Sequence, residues 1–226
     1  MKNPAQYLYL IPLTASMICS LKAWRNGWAG PYRAFSVFLT VTFLVEIFAV
    51  SWKLGLHSTA YWDFPKQNLW IYNLYFVPEY LFYIFFYSSV SENRKQGKSG
   101  WYLATIFAIF SLANIFMIQG MGQLDTFSII LGSGILIACA ASYFIQELNR
   151  KIPRAVGREP LFWISLGTLV FHAVSLPYFI FINYLSRTNL SLAMALFNIL
   201  LILNILMYIC YLIAFLCKNP VHRKSF

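Results

Sequence analysis

Seven long runs of apolar residues, separated by short polar segments, occupy most of the chain. A helix needs about 20 mostly apolar residues to cross a bilayer, and each run is close to that length. Strands of a membrane barrel alternate in polarity over about 10 residues, which these runs do not do. The pattern predicts seven helices over residues 5–23, 34–55, 69–90, 101–119, 126–147, 161–185 and 192–216.

The segments between the runs are short and rich in Gly, Pro and charged residues, as in "RNGWAGPYR" and "SENRKQGKSG". Such segments are typical of turns, and none is long enough for a soluble domain. The first run lacks a small-residue cleavage site before Trp24, so we expect it to be a helix and not a signal peptide. The sequence thus predicts one all-α domain over residues 1–226, a polytopic integral membrane protein with a seven-transmembrane-helix bundle.

The composition agrees with this interpretation, because 60% of the residues are hydrophobic and only 11% are charged. Soluble domains carry roughly 25% charged residues. The net charge of +10 comes from basic residues between the apolar runs. We therefore expect membrane lipids with anionic headgroups as partners, and no nucleic acid.

The distribution of Lys and Arg predicts the orientation in the membrane. Thirteen lie on the side of the first, third and fifth loops and the C-terminal tail, and four lie on the other side. Cytoplasmic loops carry the excess of basic residues. The chain is therefore predicted to cross the cell's inner membrane several times, with the N-terminus outside and the C-terminus in the cytoplasm.

Three carboxyl or imidazole side chains lie deep within the predicted helices, away from the helix ends, where each costs a few kcal/mol on insertion scales. They are Glu46, Glu79 and His172. At about 1.5 Å of rise per residue, all three and the amide of Asn204 lie in one layer near the bilayer midplane. Such residues usually face the interior of a bundle and mark functional sites.

Helical spacing places polar companions on the same face as each of these groups. Pro78 and Pro177 lie near Glu79 and His172, and because each removes a backbone donor, they predict hinges in the third and sixth helices. A polar stripe facing lipid is costly, so we expect the stripes to converge. They would form either a ligand, proton or ion pocket or a hydrogen-bonded clamp. In either case we expect Glu79 to be protonated or paired, with His172 as a candidate partner. The predicted pocket residues are Glu46, Tyr72, Glu79, Tyr83, His172, Ser175, Asn204 and Tyr208.

Signatures of enzymes and cofactor sites are missing from the sequence. It contains no HExxH, GxSxG or Walker A motif, and its four cysteines form no CxxC pair. The seventh helix has no lysine for a retinal Schiff base. We therefore expect no cofactor and no metal, and an enzyme is the less favoured class.

The fifth predicted helix carries small residues at four-residue spacing, in the rows Gly134, Ala138, Ser142 and Ser128, Gly132. Such rows let helices approach closely. They favour packing within the chain or, alternatively, a homo-oligomer.

The segment "REPLFWISLGTLVFH", residues 158–172, and the Asn- and Tyr-bearing last helix resemble the seven-helix membrane regions of some bacterial sensor kinases and their stand-alone relatives. The resemblance extends over about a third of the chain and implies a sensor or regulatory module. Because this chain lacks an output domain, signalling would need a partner protein, reached through the basic cytoplasmic loops. The same polar layer also suits a transporter or channel for small molecules, ions or protons, and a structural subunit of a membrane complex is a further alternative.

Overall fold

The computed structural model describes residues 4–28, 30–55, 68–91, 94–150 and 155–217. This part of the chain is all-α, which confirms the predicted fold class. Its seven α-helices are α1 Leu10–Arg25, α2 Gly30–Leu54, α3 Leu69–Val90, α4 Arg94–Ala113, α5 Thr126–Leu148, α6 Pro160–Thr188 and α7 Leu190–Leu216. Short 3₁₀ turns cover Pro4–Tyr7 and Val156–Arg158, and a π-helical turn, Asn114–Ile118, extends α4.

Two helix starts differ from the prediction by five residues or more, and α2 begins at Gly30, four residues earlier than predicted. α1 begins at Leu10, five residues later than predicted, so that Pro12 falls in its first turn. A proline in the first turn removes an N–H that would have no partner within the helix, so it interrupts no hydrogen bond there. α4 begins at Arg94, seven residues earlier than predicted. Its first turn is therefore built from basic residues that hydrophobicity alone assigns to a loop.

Five of the helices in the described part are long and apolar enough to cross a membrane: α2, the segment Ser99–Ile118, α5, α6 and α7. α1 has only 16 residues. α3 has 22 residues but contains five tyrosines, an asparagine and a glutamate, which lower its mean hydropathy. The protein is therefore a helical bundle of membrane type.

The helices pack as a closed ring with one helix beside it. α1 packs against α2 and α7, α2 against α3, α3 against α5, α5 against α6, and α6 against α7. α4 packs against α3 and α5. The ring encloses an interior that polar side chains can reach from six helices.

The five tyrosines of α3 explain how so polar a helix fits this bundle. Each hydroxyl forms a hydrogen bond with a side chain of another helix, as buried polar groups generally require. The bonds join α3 to α2, α5, α6 and α7: Tyr72 with Glu46 (3.0 Å), Tyr75 with Thr42 (2.5 Å), Tyr80 with Ser133 (3.0 Å), Tyr83 with Tyr211 (2.5 Å) and Tyr87 with Ser165 (3.4 Å). The side chains of α3 therefore connect four other helices of the bundle.

The two small-residue rows of α5 lie in different environments. Gly132 is buried against the ring of Tyr80, where an added Cβ would lie 2.6 Å from Cδ1. Gly134 and Ala138 are exposed, and a Cβ on Gly134 would meet nothing within 4 Å. The row with Gly132 packs inside the chain, and the row with Gly134 faces outward.

Candidate functional site

A cavity of about 290 Å³ lies among α2, α3, α6, α7 and the residues that precede α1. It runs from the middle of the bundle towards the end where α2 finishes and α3 begins. Six of the eight predicted pocket residues line it: Glu46, Tyr72, Glu79, His172, Asn204 and Tyr208.

Glu46 is held at the cavity wall by two tyrosines, one directly before α1 and one in α3. Its Oε2 accepts a hydrogen bond of 2.7 Å from the hydroxyl of Tyr9 and one of 3.0 Å from that of Tyr72. Tyr72 belongs to the predicted set, whereas Tyr9 does not. No local signal in the sequence indicates a partner 37 residues away, because the contact depends on how α1 packs on α2.

Glu79 lies halfway along α3 and lines the cavity. Unlike Glu46, it forms no hydrogen bond or ion pair with any residue that the structure describes. Pro78, directly before it, is exposed on the outside of the bundle. The glutamate in this aromatic helix therefore points inward, and the proline points outward.

His172 is buried and is bonded to α5. Its Nδ1 lies 3.1 Å from Ser133 Oγ, which in turn lies 3.0 Å from the Tyr80 hydroxyl. The Tyr80 and His172 rings also contact each other, with centroids 5.6 Å apart. His172 and Glu79 line the same cavity, but no hydrogen bond or ion pair joins these two described residues. Ser133, and not Glu79, is the hydrogen-bond partner of His172.

α7 contributes an amide and a phenol to the cavity wall. Asn204 Nδ2 donates to the carbonyl oxygen of Leu200 at 3.0 Å, which leaves the amide oxygen as an acceptor. Tyr208 is only 5% exposed. Its hydroxyl has no hydrogen-bond partner in the described part of the chain, although the residue lines the cavity.

Tyr83 and Ser175, the other two predicted residues, are buried but do not line this cavity. Tyr83 bonds Tyr211, whose hydroxyl lies 3.1 Å from Thr168 Oγ1. The Ser175 hydroxyl is buried without a hydrogen-bond partner among the described residues.

The predicted hinge residues, Pro78 and Pro177, lie inside α-helices that continue past them. Both are exposed on the outside of the bundle. A hinge motion at either position remains a prediction.

The charge of the cavity is mainly acidic. Besides Glu46 and Glu79, the described part of the lining includes one basic side chain, Lys53, which is exposed near the end of α2. No group of three or more His, Cys, Asp or Glu that could hold a metal ion occurs in the described residues. The described part of the lining therefore presents two carboxyl groups to a ligand.

A second polar cluster joins the start of α5 to α3 and to the π-helical turn. Asp125 caps α5 by accepting from Ser128 N at 3.4 Å, and it also accepts from Asn114 Nδ2. Asn73 Oδ1 accepts from Asp125 N at 3.0 Å. Burial raises the pKa of the Asp125 carboxyl above its ordinary value. The sequence gives no signal for Asp125 as part of this cluster, because it lies in a predicted loop between the fourth and fifth helices.

A second cavity, of about 380 Å³, lies towards the opposite end of the bundle, where α3 ends and α6 begins. Its polar lining includes Glu147, Arg150 and Glu159. Arg150 Nε and Glu147 Oε2 form an ion pair of 2.7 Å.

No family model, curated protein or solved structure matches this chain. The resemblance to the membrane regions of sensor kinases therefore stays a prediction. The geometry of the cavities and of the helices around them is therefore the basis for a functional proposal.

Proposed function

We propose that all seven helices cross the cell's inner membrane, with the N-terminus outside and the C-terminus in the cytoplasm. α1 and α3 would complete the five helices that qualify by length and hydropathy. α1 closes the ring between α2 and α7, and α3 has its polar hydroxyls bonded to other helices. The orientation rests on the thirteen basic residues on one side against four on the other.

The proposed function is that of a receptor-like or regulatory membrane module that binds a small ligand in the 290 Å³ cavity. One observation carries this proposal: Glu79 faces the cavity without a partner among the described side chains. An ionisable side chain inside a membrane-spanning helix is costly and usually marks a functional site. The cavity volume is at the small end of the roughly 300–1,000 Å³ range of ligand pockets.

A route for the signal is available through α3. Glu79 is next to Pro78, where the helix lacks a backbone hydrogen bond. Towards the other end of α3, Tyr83 bonds Tyr211 and Tyr87 bonds Ser165. A ligand that shifts α3 would thus alter its bonds to α6 and α7, and the basic cytoplasmic loops would pass the change to a partner protein.

The test is a thermal-unfolding screen of the purified protein in detergent against a panel of small cationic, neutral and anionic compounds. If the protein is a receptor of this kind, at least one compound should raise the unfolding midpoint. Asn204→Leu, which narrows the cavity and removes its amide, should reduce that shift. Ser175→Ala is the control, because Ser175 is buried but does not line the cavity. No shift with any compound of a broad panel would contradict the proposal.

A transporter is the second candidate, and the position of the two cavities favours it. On α3, Tyr80 lines the first cavity and Ile84 lines the second. Four residues of helix span about 6 Å, so the barrier between the cavities is short along this helix. Transport would be favoured if a compound enters reconstituted vesicles and Glu79→Gln abolishes this flux. Ligand binding without flux would favour the receptor.

A further inference from the structure

The side chains around the first cavity indicate what kind of ligand it takes. The acidic groups of its lining are the carboxyl groups of Glu46 and Glu79, and the amide oxygen of Asn204 is a further acceptor. Glu46 already receives two hydrogen bonds from tyrosines, whereas Glu79 receives none from the described residues. A ligand could therefore place a hydrogen-bond donor or a positive charge beside Glu79.

The rest of the wall is largely aromatic. Rings from α3, α6 and α7 line it, among them Tyr75, Phe76, Phe171, Tyr178, Phe197 and Tyr208. The face of an aromatic ring carries partial negative charge and attracts cations, including quaternary ammonium groups. An anion would meet both the carboxylates and the ring faces unfavourably.

The one basic residue in the described lining, Lys53, does not supply a positive charge to Glu79. Lys53 lies on the last turn of α2 and its side chain is exposed, whereas Glu79 is halfway along α3. His172 is bonded through Nδ1 to Ser133. No described side chain therefore brings a positive charge to Glu79.

We propose that this cavity binds a small organic cation, an amine or quaternary ammonium group carried on an apolar body. The charged nitrogen lies at Glu79, and the apolar body packs against the rings of α6 and α7. The hydroxyl of Tyr208 and the amide oxygen of Asn204 are additional hydrogen-bonding positions for such a ligand. This inference rests on the proposed function, since it names the ligand class of the same site.

The experiment compares three ring compounds of one size that differ in charge: benzylamine, which is a cation at pH 7, benzyl alcohol and benzoate. Unfolding midpoints of the purified protein are followed during titration with each. We expect benzylamine to raise the midpoint and the other two to leave it nearly unchanged. Equal or larger shifts with benzyl alcohol or benzoate would overturn the inference while leaving a small-molecule site in place, and no shift with benzylamine would overturn it as well.

Variants locate the charge that the ligand needs. Glu79→Gln should weaken benzylamine binding by about tenfold or more, because a hydrogen bond to a charged group contributes enough for that factor. Glu79→Asp keeps the charge and should retain the preference for the cation. Glu147→Gln, the same substitution at the second cavity, should bind like the unaltered protein. Loss of binding in Glu147→Gln but not in Glu79→Gln would place the cation in the second cavity and overturn the inference.

The cation could be a free amine or the headgroup of a lipid, and the lipid environment separates these sources. In nanodiscs of phosphatidylglycerol alone, benzylamine should raise the midpoint as it does in detergent. If an aminophospholipid headgroup occupies the site, added phosphatidylethanolamine should reduce that shift. If the natural ligand is a free amine, the shift should be the same in both membranes.

Discussion

At the scale of single residues, the pair Asp125 and Asn114 shows how a buried acid is accommodated. Asn114 donates to Asp125 Oδ1, but Asp125 Oδ2 and Asn114 Oδ1 are both buried without a hydrogen-bond partner in the described part. Both are acceptors when the acid is ionised. A proton on Asp125 supplies the donor that they lack, which agrees with the effect of burial in raising the pKa of this carboxyl.

This pair makes a prediction about pH. The folded protein holds the Asp125 proton more tightly than the unfolded chain, whose Asp pKa is about 3.9. The free energy of unfolding due to this group therefore falls as the pH rises from that value through the folded pKa, and is lowest above it. Asp125→Asn should lack this part of the pH dependence and should unfold at a higher temperature than the unaltered protein at pH 7, since its amide is a permanent donor.

Thermal unfolding in detergent between pH 4 and pH 8 measures both effects. Asn keeps the N-cap of α5, because Asn and Asp cap equally well. Asp125→Ala is the control that loses the cap, and it should be destabilised by about 1 kcal/mol. An Asp125→Asn variant that is less stable than the unaltered protein at pH 7 would show that the carboxylate is ionised and satisfied.

At the scale of elements, the bonds of α3 to its neighbours should contribute measurable stability. Interhelical hydrogen bonds in membrane proteins average about 0.6 kcal/mol, with a maximum near 1.7. The Tyr83–Tyr211 bond is fully buried and short, at 2.5 Å. A double-mutant cycle of Tyr83→Phe and Tyr211→Phe should therefore give a coupling energy within about that range.

The control cycle pairs Tyr83→Phe with Tyr102→Phe, because Tyr102 is 74% exposed. Its coupling should be near zero. Unfolding free energies from denaturant titration in mixed micelles provide the values. A coupling near zero for the first cycle too would mean that the tyrosines of α3 do not hold the bundle together.

Gly132 provides a second prediction at this scale. Gly132→Ala places a Cβ 2.6 Å from the Tyr80 ring, whereas Gly134→Ala, one half-turn away on the same helix, meets nothing within 4 Å. Overpacking of this kind costs about 1–3 kcal/mol. The first variant should unfold at a lower temperature than the unaltered protein, and the second at the same or a higher one. Equal midpoints for both would contradict the packing of α5 on α3.

The helices and the depth of the buried polar residues could be predicted from the sequence, whereas the hydrogen-bond partners of those residues could not. Because lipid requires long apolar runs, the sequence predicts all seven helices, and α3 has the predicted ends. Helical rise also places Glu46 and Glu79 at similar depths. The partners Tyr9 and Ser133 could not be predicted, since they depend on which helices are neighbours and on how each is rotated, and neither leaves a periodic signal.

At the scale of the whole molecule, three structural features together determine how a ligand reaches the cavity. The bundle is a ring of helices, its ionisable side chains line a cavity towards one end, and that end holds the finish of α2 and the start of α3. With the proposed orientation this end faces outward. The cavity should therefore be reached from outside the cell, and the basic loops at the other end should meet the cytoplasm.

The most direct measurement is the accessibility of a cysteine placed in the cavity. In a protein whose four native cysteines are replaced by Ala and whose folding is checked by size exclusion, Asn204→Cys lines the cavity, and Ser175→Cys is buried away from it. A membrane-impermeant cationic thiol reagent applied to intact cells should modify Asn204→Cys and leave Ser175→Cys unmodified. Modification of Asn204→Cys only after the cytoplasmic side is exposed, or none at all, would contradict the account.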